Sequence, residues 1–163
     1  MDAALEARIN KIIDSGFETP SALKRVLKEE MALIKQDQQN RDILGLVFVE
    51  TTYINTDNIE TKFTGAYMIL ATTTGLIIVQ EGLNSQDLKD GGYRVRYVPY
   101  YKISCVELDS CLLLGIFELT LSGTLNDPDI AFEFDTADRL QDFEDLAKII
   151  RKKMTSIQKS LEK

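Results

Sequence analysis

Few side chains of this chain could do chemistry. There are two cysteines, Cys105 and Cys111, and no histidine, so a Ser–His or Cys–His nucleophilic pair is impossible. Carboxylates are paired at Asp127/Asp129, Asp57/Glu60 and Asp87/Asp90. All three pairs sit in turn-like wording and read as solvated turn acids rather than a general acid and its base. None has the spacing of an EF-hand loop. Gly91-Gly92 lacks the strand before it and the helix after it that a phosphate cradle requires. Without histidine or a Cys-x-x-Cys pair, neither metal nor cofactor is expected. A hairpin turn at Asp109-Ser110 would set Cys111 opposite Leu108 and Cys105 opposite Leu114, which excludes a disulfide between them. Two unpaired thiols with apolar flanks suit a reducing cytoplasm.

The best candidate surface is the segment 93–102. It gathers four of the six tyrosines, and its Arg94, Arg96 and Lys102 are three of the five basic residues between positions 43 and 135. Alternation puts Tyr93, Val95 and Tyr97 on one face and Arg94, Arg96 and Val98 on the other. The plain reading is a strand whose arginines pair with nearby acids. The functional reading is a docking patch for an acidic peptide or an anionic headgroup, built from Tyr93, Arg94, Arg96, Tyr100, Tyr101 and Lys102.

The elements that position these residues can be read from periodicity. Leu5, Ile9, Ile12 and Ile13 share one face of a first helix, and Gly16 stops it. Thr19-Pro20 restarts a second helix carrying Leu23, Val26, Leu27, Met31 and Ile34. Strands are expected at residues 43–54, 65–72, 76–81, 93–98, 103–108, 112–122 and 130–134, with polar connections at 55–62 and 82–92. Residues 63–80 form an uncharged run, but Thr72-Thr73-Thr74-Gly75 at its middle marks a hairpin, not a membrane helix. After Asp135 the period changes from two to 3.6. Thr136 is the expected N-cap of a last helix with Leu140, Phe143, Leu146, Ile150 and Met154 on one side, and the stripe runs on through Ile157 and Leu161. Several early strands are apolar on both faces, among them Leu46-Val47-Phe48-Val49 and Tyr67-Met68-Ile69-Leu70. They need a second cover: the N-terminal helices first, another copy of the chain next.

Charge is uneven along the 163 residues, whose net charge is −7. Residues 43–135 hold 13 acidic and 5 basic side chains, a field that repels nucleic acid and anionic membranes. The last stretch is basic, with Lys148, Arg151, Lys152, Lys153, Lys159 and Lys163. That end complements the helix dipole, and its minor reading is contact with a membrane surface. The N-terminus is acidic and amphipathic, without the apolar core of a signal peptide.

The wording of the second half resembles bacterial pleckstrin-homology-like (PH-like) domains. The resemblance rests on Pro99-Tyr100-Tyr101-Lys102-Ile103-x-x-Val106-Glu107, on Leu112-Leu113-Leu114-Gly115, on Phe117-x-Leu119-x-Leu121-x-Gly123, and on Phe132-x-Phe134 before a helix with a central Phe143. It covers residues 43–154. The basic residue usual in the family after the second hairpin turn is replaced by Gly75. The resemblance implies a seven-stranded antiparallel barrel or sandwich capped by a C-terminal amphipathic helix, here preceded by two helices at 1–42 and followed by a basic tail at 155–163. Phosphoinositide-binding relatives gather basic residues between their first two strands, whereas residues 55–62 carry two acids and one lysine. The implied use is therefore protein binding or self-assembly through the sheet faces, in the cytoplasm and without catalysis. An anionic-lipid binder is the alternative, and a small-ligand carrier inside a barrel is the third.

Overall fold

The computed structural model describes residues 1–15, 19–36, 41–50, 52–56, 59–81, 92–123 and 128–161. The elements are α1 (Ala3–Asp14), α2 (Ser21–Gln36), β1 (Ile43–Val49), β2 (Thr52–Thr56), β3 (Ile59–Thr64), β4 (Tyr67–Thr72), β5 (Gly75–Glu81), β6 (Tyr93–Pro99), a 3-10 turn (Tyr100–Lys102), β7 (Ile103–Cys111), β8 (Leu114–Leu121), β9 (Ile130–Asp135) and α3 (Thr136–Leu161). The strands build two antiparallel sheets, β1-β4-β5-β6 and β7-β8-β9, with β2-β3 a separate pair. Of the expected barrel or sandwich, the closed barrel is not formed. Pro99 has no N–H to donate, and the 3-10 turn after it takes the backbone out of the extended state, so the hydrogen-bonded ladder stops between β6 and β7.

The chain divides into two compact units: Met1–Thr73 with Ile77–Tyr97, and Thr74–Leu76 with Val98–Lys163. In the first unit, β1 and β4 pair Leu46 with Leu70, Phe48 with Met68 and Val47 with Ile69. Leu46, Phe48, Met68, Leu70, Ile77 and Val79 form one cluster with Ile9 and Ile12 of α1 and Leu23, Val26, Leu27 and Met31 of α2. The N-terminal helices thus cover one face of the doubly apolar strands. Val47, Ile69, Ala71 and Ile78 on the opposite face are buried as well. Arg41 lies 3.7 Å from the buried carboxylate of Glu30 on α2. The polar stretch expected at residues 55–62 instead contributes to a pair of strands, with Asn55 opposite Glu60 and Thr56 opposite Ile59. β-branched Thr and Ile dominate these segments, and strand propensity outweighs their polarity.

In the second unit, β7 runs through Asp109-Ser110 to Cys111, and the turn falls at Leu112-Leu113. The expected turn at Asp109-Ser110 is displaced because register follows the apolar pattern. The observed pairing sets Leu108 opposite Phe117 and Val106 opposite Leu119. A turn at Asp109-Ser110 would put Leu113 opposite Val106 and leave Phe117 facing Lys102. β8 and β9 then pair Phe117 with Phe132 and Gly115 with Phe134. α3 packs on this sheet with Phe143 and Ile150 fully buried and Leu146 nearly so. The Phe143 ring stacks on Phe134 at a centroid distance of 4.0 Å and meets Phe117 at 5.3 Å. Phe134 lies directly on Gly115, where a Cβ would come 2.2 Å from its ring. Gly75 is likewise required by space: a Cβ there would sit 2.5 Å from the Val98 carbonyl oxygen.

Replacing Phe143 by Ala is expected to cost about 3–5 kcal/mol in urea unfolding. Gly115→Ala is expected to cost about 1–3 kcal/mol, because Phe134 must leave its stack to make room. Removing residues 1–40 uncovers Leu46, Phe48, Met68 and Leu70. The truncated chain is expected to aggregate or to unfold at lower urea, and a soluble monomer of unchanged midpoint would contradict the shared core.

Candidate interaction surfaces

The six residues singled out in segment 93–102 divide between the two units. In the first unit, Tyr93 is held by α2: the Arg25 side chain donates to its hydroxyl and its guanidinium carbon lies 5.1 Å from the ring centroid. Arg25 also faces Glu29 one turn along α2 at 3.7 Å. Arg94 is exposed, Arg96 is half-buried, and Val95 packs against the core cluster. In the second unit, Tyr101 is 64% exposed with the Lys102 ammonium 5.8 Å from its ring centroid. Tyr100 does not belong to a surface. It is 2% exposed, and burial pushes its phenol well above the usual range. The 3-10 turn rotates it inward while its neighbour Tyr101 points out, which a strict period of two does not foresee.

The feature that sequence reasoning missed is the β7–β8 turn. Leu112, Leu113 and Leu114 are 94%, 74% and 49% exposed. Thr136 fixes this turn: its hydroxyl donates to the Leu112 carbonyl at 3.0 Å, and its N–H donates to the Leu113 carbonyl at 3.4 Å. Thr136 therefore serves the turn, and the cap of α3 is Asp135, whose carboxylate accepts the Ala137 N–H at 2.8 Å. Asp109, three residues before Leu112, Asp135, opposite Leu114, and Asp138, in the first turn of α3, are exposed. The available signal was the leucine triplet itself, since three successive leucines cannot alternate between a wet and a dry face.

α3 is electrically polarised. Its first ten residues carry four acids and one base, and positions 146–161 carry five bases and no acid. Lys148 bridges to Glu144 at 3.7 Å and to Asp145 at 3.0 Å. The Lys148 and Gln141 hydrogen bonds hold the Asp145 carboxyl below its ordinary range. Beyond Ile150 no described residue of α3 is buried, while Met154 and Ile157 stay half-exposed. An open depression of about 560 Å³ runs along Lys148, Arg151, Lys152, Thr155, Ser156 and Lys159.

The remaining candidates carry little. Cys105 and Cys111 are free thiols. They lie opposite Thr120 and Leu114, six residues apart on one strand, about 20 Å, too far for a bond. Cys105 approaches the Glu107 carboxylate at 3.5 Å, and desolvation first, then that carboxylate, pushes its thiol up. Such a thiol is poorly activated. Asp129 accepts the Leu121 N–H at 2.6 Å, as a turn acid does. Asp57, Asp87, Asp90 and Asp127, with Gly91 of the Gly91-Gly92 pair, lie outside the described residues. Among the described residues no three His, Cys, Asp or Glu side chains cluster as metal ligands, and no helix is long and apolar enough to cross a membrane.

With iodoacetamide at neutral pH, Cys105 is expected to alkylate more slowly than exposed Cys111, as read by peptide mass spectrometry. Because the Cys105 thiol is shifted upward, its rate should keep rising above the pH at which an ordinary thiol has levelled off. A Glu107→Gln change should bring that profile down.

Comparison with protein-family models, with curated proteins and with solved structures finds no match to this chain.

Proposed function

We propose that this chain is a non-enzymatic interaction module of PH-like build that binds a protein partner or a second copy of itself. The observation that carries the reading is the β7–β8 turn. Surface leucines are ordinarily scattered singly, whereas here three in succession are held outward on a turn fixed by two hydrogen bonds. Apolar anchors presented rigidly lose little entropy on docking. The PH-like part of the reading is supported by the chain order: a four-stranded sheet, a three-stranded sheet and a closing amphipathic helix. The absence of histidine removes the commonest general base.

A second reading, binding to anionic lipid, is favoured by one feature, the basic depression on the C-terminal half of α3. The acids around the leucine turn oppose insertion of that turn into an anionic surface.

A photo-crosslinking amino acid in place of Leu113, installed in the full chain in host cells, tests the first reading. A crosslink to protein at that position, with no salt-sensitive sedimentation on phosphatidylserine vesicles, is the expected result. Vesicle binding that salt abolishes, without any protein crosslink, would overturn it in favour of the lipid reading.

A further inference from the structure

We infer that two copies of this chain pair through antiparallel α3 helices, each seating its Leu112-Leu113 turn against the Met154 and Ile157 end of the other. This inference rests on the interaction reading above and names its surface and its partner.

Two apolar features, one exposed and one partly exposed, occupy opposite ends of the second unit. At one end Leu112 and Leu113 stand 94% and 74% exposed, tied by Thr136 to the first turn of α3. At the other end α3 continues eleven residues past Ile150, its last buried position, to Leu161. A helix segment that leaves its core has little packing to hold it, and most helical stability in proteins comes from a packed face. Met154 and Ile157 supply such a face and stay half-exposed. The two ends are separated by most of a 26-residue helix, about 39 Å long at 1.5 Å per residue, so one copy cannot join them.

Charge selects the partner and its direction. Exposed acids neighbour the leucine turn along the chain and the sheet: Asp109 three residues before Leu112, Asp135 opposite Leu114, and Asp138 in the first turn of α3. The apolar end of α3 is flanked by Arg151, Lys152, Lys153 and Lys159, with no acid between positions 146 and 161. A second copy carries both halves of this complement. Antiparallel pairing brings acids to bases twice, and the two-fold axis closes the assembly at a dimer. Parallel pairing would bring like charges together. Lys148 is already engaged by Glu144 and Asp145 of its own helix, which leaves the later basic residues to face the partner.

Cys111, exposed and adjacent to Leu112, provides the test. In a Cys105→Ser background of the full chain, Thr155→Cys places a second thiol at the far end of α3. A short bis-maleimide should then join Cys111 of one copy to position 155 of the other and give a discrete dimer. In light scattering after size exclusion, the Leu112→Asp/Leu113→Asp variant should raise the dimer dissociation constant about tenfold or more, and added salt should raise that of the parent chain. Urea unfolding of the variant checks that it remains folded. A ladder of higher multimers would overturn the two-fold pairing in favour of an open head-to-tail chain. A monomer at every concentration, with no crosslink, would overturn self-pairing. The interaction reading fails separately, on loss of the protein crosslink at position 113.

Discussion

The second unit depends on the place of one ring. Phe143 of α3 sits between Phe134 and Phe117, and Phe134 has room to lie flat only because position 115 has no side chain. That contact ties the helix to two strands at once. It also sets the path of the next residues: with Phe134 on Gly115, β9 ends where Asp135 caps α3 and Thr136 reaches the β7–β8 turn. A packing constraint in the core thus holds three leucines in water. Their exposure is a consequence of a well-determined turn, not of a loose one.

The first unit solves a different problem. A sheet whose strands are apolar on both faces cannot stand with one face wet. Here α1 and α2 supply the cover, and the cluster they form with β1, β4 and β5 runs from Ile9 to Val79. The helices belong to the fold of that unit. The Arg25–Tyr93 contact adds a polar link between α2 and β6, and it reduces the attraction of Tyr93 as a free docking residue.

Much of this was legible in the residues. The three helices, most of the strands and the change of period after Asp135 can be read from apolar spacing, and so can burial of Phe117, Leu119, Phe132, Phe134 and Phe143. The candidate surface was less legible. Arg94, Tyr101 and Lys102 are exposed, but Val98, expected on the face of Arg94, is buried, and Tyr100 turns inside because a 3-10 turn replaces the extended backbone there. The leucine turn was hidden for a related reason. Asp-Ser is good turn chemistry and Leu-Leu is poor, so local preference pointed to the wrong place. The pairing of Leu108 with Phe117 and Val106 with Leu119 outweighed it.

By itself, then, the sequence determined most of the element types, the direction in which many strands and helices bury their side chains, and the lack of any histidine among the 163 residues. These properties live in short windows, where period and residue type suffice. Only the tertiary structure decided the number of sheets, the register of β7 against β8, the burial of Tyr100 and the exposure of Leu112, Leu113 and Leu114. Each of those depends on residues far apart in the chain competing for the same core. A turn preference worth a fraction of a kcal/mol yields to the burial of a phenylalanine worth about 1.5–3 kcal/mol.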